Sequence, residues 1–268
     1  MDKQLGSCDE RILTEDEINM LKNQDKKIVS EFKSIKLENE AKKMWDLFYK
    51  RNSTNFFKDR HWTSREFDEI KRKAQAGQKI TLLEAGCGVG NAIFPLLDEM
   101  QNLFVYACDF SPRAVEFVKE NRKYNPDKCF AFQCDLTAHQ LNNDIPEASI
   151  DIATLIFVLS AIHPDKFLLV LQNIHKVLKP GGHLLFRDYG LYDWAMLRFN
   201  PGSKISENFY VRQDGTRAYY FEKEQMKALM EEVGFNIISN DFVRRETVNK
   251  KKELTVPRVF LQGKYTKR

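Results

Sequence analysis

The chain has 268 residues and a mass of 31.4 kDa, with 43% hydrophobic and 30% charged residues. This is enough to bury one α/β core; the composition argues against disorder, and no apolar run approaches the roughly 20 residues of a bilayer crossing, so no membrane association is expected. The five cysteines (Cys8, Cys87, Cys108, Cys129 and Cys134) are odd in number and form no Cys-x-x-Cys pair, which argues against a zinc knuckle or a disulfide framework. No metal site is expected. The net charge of +4 is unevenly placed: residues 244–268 carry nine Lys/Arg against two Glu, or +7, leaving −3 for the remainder. Such a segment suits a polyanionic partner or is simply a solvated tail. The first residues mix acids and bases without an apolar stretch, unlike a secretory or transit leader. The expected location is the cytoplasm, with the nucleus as a second compartment.

Residues 14–50 are expected to be helical, opened by a capping box of Thr14 and Glu17 and free of Gly and Pro up to Lys43. They form an arm rather than core. From Ile80 short apolar runs alternate with helical segments, the βαβ texture of a parallel sheet covered on both faces. The first strand, Ile80–Glu84, leads into Gly86, Gly88 and Gly90 and a helix to about Met100. A second strand, Leu103–Cys108, ends at Asp109, and Ser111 caps the next helix with Pro112 at its first position. A third strand near Cys129–Gln133 ends at Asp135. The fourth, Ile150–Phe157, is continuously apolar, as a strand buried on both faces should be. After a helix over Pro164–Leu178, a Lys179–Gly182 turn precedes a fifth strand, His183–Arg187.

Residues 188–221 are too long for a simple connection and contain an Asp214-Gly215 hairpin signal. Insertions at the carboxyl ends of parallel strands commonly carry recognition, so this segment is the expected substrate platform. A helix from Glu222 to Val233, stopped by Gly234, and strands at Asn236–Val243 and Arg258–Tyr265 complete the chain.

The loop Glu84-Ala-Gly86-Cys-Gly88-Val-Gly90-Asn91 lets the backbone turn sharply after a strand and approach a ligand closely. Its rival reading is a dinucleotide fingerprint, but Asn91 stands where the third glycine of that motif would lie. Asp109 and Asp135 end the next two strands beside the same crevice; the first can accept ribose hydroxyls and the second an adenine amino group. In the same region, Trp45 and Tyr49 lie at i, i+4 and share a helical face able to close over a cofactor. With Lys179-Pro-Gly-Gly182, these motifs resemble those of the class I S-adenosylmethionine-dependent methyltransferases over residues 80–265. The resemblance implies a seven-stranded Rossmann-like sheet with its last strand antiparallel. It also implies that Gly86 and Gly88 cradle the methionine part, Asp109 holds the ribose, Asp135 with Leu136 holds the adenine, and Ile156 lines the floor.

The acceptor must be read from the flanks. No cysteine neighbours a proline and there is no Pro-Pro, which disfavours cytosine carbon-5 and exocyclic adenine methylation. The stretch Trp45–Trp62 interleaves aromatics with cations, suited to single-stranded nucleic acid or to an amphipathic arm packing on the core. That stretch resembles the eukaryotic tRNA 3-methylcytidine methyltransferases. So do Phe186-Arg-Asp-Tyr-Gly-Leu-Tyr-Asp193, Phe209-Tyr-Val-Arg-Gln-Asp-Gly-Thr-Arg217 and Arg245-Glu-Thr-Val-Asn-Lys250, and the resemblance is nearly end to end. Arg51-Asn-Ser-Thr-Asn55 resembles the branch acting on serine tRNAs. The resemblance implies that the acceptor is cytidine 32 of the anticodon loop. It also implies seryl-tRNA synthetase as partner, an otherwise monomeric chain, a tRNA-binding and lid arm over residues 1–79, and a methyltransferase domain over 80–268. A neutral cytosine nitrogen needs alignment rather than a base. Asp188 is expected to accept the cytosine amine, Arg60 or Arg258 to donate to its carbonyl oxygen, and Tyr189 to stack on it. The alternatives are a protein or small-molecule methyltransferase on the same core, and a cofactor-binding adaptor without turnover.

Overall fold

A computed structural model describes residues 4–5, 11–54, 56–75, 77–249 and 254–268. After a two-residue strand β1 (Gln4–Leu5), the arm is built from three helices, α1 (Glu15–Asp25), α2 (Glu31–Asn39) and α3 (Ala41–Asn52), rather than one. The Thr14–Glu17 capping box forms as expected, and the unexpected break has two causes. Ser30 accepts the Lys33 N–H and starts a new helix, and the backbone between α1 and α2 is recruited by the insertion: Val29 N–H donates to Lys204 O at 2.8 Å and Gly202 N–H to Lys27 O at 2.5 Å. Buried Gln24 donates to the carbonyls of Met196 and Leu197, fixing α1 to the same unit. Two short helices, α4 (Thr63–Glu66) and α5 (Asp68–Gln75), lead to the core.

Strands β2 (Ile80–Ala85), β3 (Leu103–Asp109), β4 (Cys129–Gln133) and β5 (Ile150–Ile156) are parallel and joined through α6 (Ile93–Glu99) and α7 (Pro112–Glu120). A 3₁₀ turn (Pro164–Lys166) and α8 (Phe167–Val177) follow. Strand β6 (Leu178–Tyr189) begins before the expected Lys179–Gly182 turn: Ile150 pairs with Leu178 and Ile152 with His183, so these residues bulge within a strand run, with Gly181 at φ 72°. After α9 (Trp194–Leu197), strands β7 (Lys204–Ser206), β8 (Phe209–Val211) and β9 (Arg217–Tyr219) make a small separate sheet. The Asp214-Gly215 turn closes β8 to β9 as expected, with Asp214 accepting from both the N–H and the hydroxyl of Thr216. Helix α10 (Lys223–Val233) ends at left-handed Gly234. The last two strands, β10 (Phe235–Asn249) and β11 (Leu254–Lys267), extend well beyond their expected bounds as one long antiparallel hairpin.

The main sheet runs β1-β10-β11-β6-β5-β2-β3-β4 among the described residues, with β11 antiparallel to both neighbours. Strand alternation splits the core between two faces. Leu83, Leu155 and Phe186 pack under α8 and α10, while Leu82, Ile152 and Leu185 pack under α6. The chain moves outward from β2 to β4 and then returns to β5 on the other side of β2. The carboxyl ends of β2 and β5 therefore diverge at a switch point, where a ligand crevice opens.

Of the six described cations of the C-terminal segment, four are committed inside the fold. Arg245 pairs with Glu66, Arg258 with Asp193 and Lys264 with Glu69, while Lys267 donates to the carbonyls of His175 and Leu178. This corrects the reading of these cations as a free surface; residues 250–253, Cys8 and Asn55 lie outside the described residues.

Candidate active site

Two cavities open at the switch point. The larger, about 320 Å³, contains Trp45, Tyr49, Gly86, Asp109, Asp135 and Leu136 in its lining; the smaller, about 50 Å³, is lined by Arg60, Gly88, Ile156 and Tyr189 together with Trp45, Tyr49 and Gly86. Ten of the expected site residues are thus brought to two adjoining spaces, divided along Tyr49, Gly86 and Phe157, which border both.

The glycine turn is shaped by close approach. Gly86 has φ 71°, and a Cβ there would lie 2.4 Å from a Val158 methyl; a Cβ on Gly88 would lie 3.1 Å from the Tyr49 hydroxyl. Asp109 accepts the N–H groups of Gly88 and Ser111, each at 2.9 Å, so one carboxylate sets the loop and faces the larger cavity. Burial pushes its pKa up to about 6 against these two hydrogen bonds. Tyr49 is 5% exposed; burial, with Asp109 and Cys87 beside it, holds its hydroxyl well above the ordinary range, so it is a neutral donor. Asp135 accepts from the N–H and hydroxyl of Thr137 through one oxygen. These features fit an adenosyl ligand with a methionine tail: carboxylates for the ribose and the adenine edge, and a backbone cradle where a side chain would intrude.

On the other side, Arg60 lies at the edge of the smaller cavity with its Nη1 3.4 Å from Ile156 O and 3.9 Å from Glu84, its guanidinium over the Phe157 ring. Glu84 is fully buried. Burial raises its pKa against the opposing charge of Arg60 and a hydrogen bond from Thr154. Asn91, the residue that broke the dinucleotide pattern, donates to Phe57 O and Asp59, and its own carbonyl accepts the Arg60 N–H at 2.7 Å. The sequence oddity is a clamp between the glycine loop and the arm.

Two residues expected to contact the acceptor lie away from both cavities. Asp188 is 0% exposed and borders neither cavity; its oxygens accept the N–H groups of Ser160 and Tyr189, each at 2.9 Å. Burial raises its pKa to about 6 against these bonds. It sits behind the site and orients residues that line it. Arg258 is tied through Nε to both oxygens of buried Asp193, at 2.8 and 3.1 Å, and its guanidinium buttresses Tyr189 and Phe260. It also borders neither cavity.

Three contributors escaped sequence reasoning. Phe157 is a non-glycine residue at φ 58°, a strained conformation that sets its ring between the cavities. Ser160 reaches the smaller cavity from a turn with no motif. Arg212 reaches it from the β8–β9 hairpin, its guanidinium 5.3 Å from the Tyr189 ring centre. For Arg212 a signal existed: a cation at the base of a turn within the expected platform.

A parallel sheet with a glycine turn at its switch point, acids after the next two strands and a cavity against them defines a class I S-adenosylmethionine-dependent methyltransferase. The family model "Methyltransferase domain" matches residues 83–184. The structure of an S-adenosylmethionine-dependent methyltransferase from Anabaena variabilis superposes with a TM-score of 0.59 at 14% identity, covering 85% of this chain and 95% of that one. The chain is 61% identical to the tRNA N(3)-cytidine methyltransferase METTL6 of Homo sapiens, over 96% of its own length and 90% of the human protein. It is 46% identical to the tRNA N(3)-methylcytidine methyltransferase trm141 of Schizosaccharomyces pombe, over 89% and 97% of the two chains. The chain belongs to the tRNA N(3)-cytidine methyltransferase family, and its cofactor is S-adenosylmethionine.

Proposed function

We propose that the chain methylates N3 of cytidine in tRNA, at position 32 of the anticodon loop of serine tRNAs, working as a monomer that receives the tRNA with seryl-tRNA synthetase. The observation that carries this reading is the meeting of the two cavities along Tyr49, Gly86 and Phe157, with carboxylates on one side and the guanidinium groups of Arg60 and Arg212 on the other. The similarity to METTL6 supports N3 of a tRNA cytidine as the acceptor, and the resemblance of Arg51–Asn55 to the serine-tRNA branch supports the choice of tRNA.

S-adenosylmethionine supplies an electrophilic methyl group. N3 of cytosine is neutral near pH 7 and carries its own lone pair, so no side chain has to remove a proton. What the residues supply is alignment and a matched field. Tyr49 and Phe157 hold the boundary between the two cavities, where they would keep cofactor and acceptor in register. Tyr189, braced by Phe157 at 5.2 Å and Tyr220 at 5.7 Å between ring centres, offers a face for a base taken out of its stack. Arg60 and Arg212 donate toward the cytosine carbonyl oxygen or the flanking phosphate, while Asp188 keeps Ser160 and Tyr189 in register.

The test is incubation with labelled S-adenosylmethionine and total tRNA, with and without seryl-tRNA synthetase, followed by nucleoside identification. The reading requires 3-methylcytidine in serine tRNAs. A label that survives ribonuclease would favour a protein or small-molecule acceptor, and bound cofactor without label transfer would favour an adaptor.

A further inference from the structure

One ion-pair cluster at the larger cavity has no part in the chemistry above. Glu38, near the end of α2, lines that cavity and meets two cations from different elements: Lys166, in the turn before α8, and Arg217, on β9 of the insertion. Arg217 is only 5% exposed and also donates to Ala161 O at 3.2 Å, beside the same cavity. Burial alone would raise the Glu38 carboxyl; the hydrogen bonds from Lys166 and Arg217 outweigh it and hold the carboxyl below its ordinary range. The group is therefore a carboxylate at neutral pH, held in place by both partners.

Its position decides what it can do. The floor of the larger cavity is the sheet core; on another side Asn39, Ala41, Lys42, Trp45 and Tyr49 belong to α2 and α3. This cover is fastened at two places beside the cavity. Asp46 accepts from Ser111 Oγ at 2.9 Å and lies 3.5 Å from Arg113, next to the Asp109 loop. Glu38 fastens it to the turn before α8 and to the insertion. The α2–α3 cover is one wall of this cavity, so how firmly it is held bears on how long an adenosyl ligand stays. The second fastening also reaches the acceptor side: Arg212 Nη1, from the wall of the smaller cavity, donates to Arg217 O at 2.8 Å.

We infer that Glu38, clasped by Lys166 and Arg217, is a latch that positions the α2–α3 cover over the cofactor and couples cofactor retention to occupancy of the insertion hairpin. The inference rests on the S-adenosylmethionine reading of the larger cavity. Because coupling between two ligands is reciprocal in their equilibrium affinities, RNA seated on the hairpin should lower the cofactor's Kd, seen here as slower release, and the cofactor should lower the Kd for RNA by that same factor.

The test measures dissociation of S-adenosylhomocysteine from the full chain by stopped-flow competition. Glu38→Gln keeps the shape and removes the charge, and should raise the off-rate roughly tenfold while changing the on-rate little. Lys166→Met should act in the same direction from the core side, and serves if Glu38→Gln is too unstable to assay. Added tRNA should slow release from the unaltered protein and do so less in Glu38→Gln. Asp25→Asn removes an exposed carboxylate of the same arm, in a 2.7 Å contact with Lys204 of the insertion away from the cavities, and should leave the off-rate unchanged. An off-rate within twofold of the unaltered protein for both latch variants overturns the inference, as does an equal rise in Asp25→Asn, which would mark general loosening of the arm. Failure of the unaltered protein to bind S-adenosylhomocysteine would instead sink the cofactor reading itself.

Discussion

The two cavities share a wall but are assembled in opposite ways. The polar groups expected to hold the cofactor come mainly from a short stretch of chain, the β2 turn and the acids that follow β3 and β4, all within residues 84–137. The acceptor side draws Phe57 and Arg60 from the arm, Asn91 from the glycine loop, Ser160 from after β5, and Tyr189 and Arg212 from β6 and the insertion. The first takes these polar groups from local backbone geometry that any chain with the same motif reproduces, and only its cover, with Glu38, Trp45 and Tyr49, from the arm. The second exists only once distant segments are packed together, which makes it the part of the molecule free to specialise.

Disrupting the acceptor side from behind should have the largest effect and leave the cofactor side intact. Asp188→Ala frees the N–H groups of Ser160 and Tyr189 in a buried setting. Methyl transfer to tRNA is expected to fall roughly 100- to 1,000-fold, with cofactor affinity within a few-fold by calorimetry. Equal losses in both measurements would dissolve the distinction between the two halves. The reverse experiment is Asp109→Ala, which removes the acceptor expected to hold the ribose and the anchor of the Gly88 turn. Cofactor affinity should drop roughly 10- to 100-fold, as expected for loss of hydrogen bonds to a charged group.

A smaller change needs no mutation. Asp109 has its pKa raised to about 6, and hydroxyl donors favour its ionised form. Cofactor affinity should therefore be full well above pH 6 and decline as the pH falls through that value, by roughly tenfold per unit while the free protein is protonated. Titration calorimetry between pH 5 and 8 checks this, and Asp109→Asn should flatten the profile. The smallest effect is expected for Arg212→Ala. The KM for tRNA should rise several-fold to about tenfold, with little change in the KM for S-adenosylmethionine. A rise confined to the cofactor would place Arg212 on the wrong side of the wall.

Legibility in the sequence followed the same division. Glycine spacing, acids after strands, Ser111 with Pro112 and the Asp214-Gly215 turn are short-range codes, and each formed as read. Asp188 was placed at the right strand end, but residue type and strand end do not reveal that both its oxygens meet backbone N–H groups. In the sequence Arg258 reads as a donor to the substrate, because its partner, Asp193, is 65 residues away and paired only by folding. The arm shows the same limit. With no Gly or Pro between Thr14 and Lys43 it reads as continuous helix, yet Lys27 and Val29 leave the helix to pair with the insertion.

The sequence by itself determined the sheet, the cofactor turn and the carboxylates beside it, because these depend on contacts between near neighbours and on backbone conformations few residues adopt. Family membership was legible too, through motifs spread along the chain. Only the tertiary structure decided which cations face a cavity and which are consumed by internal pairs, that Asp188 is buried with its oxygens on backbone N–H groups, and that Glu38 joins the cover to the insertion. A charge has the same letter whether it meets solvent, a substrate or a carboxylate, and its partner is fixed only when distant segments pack.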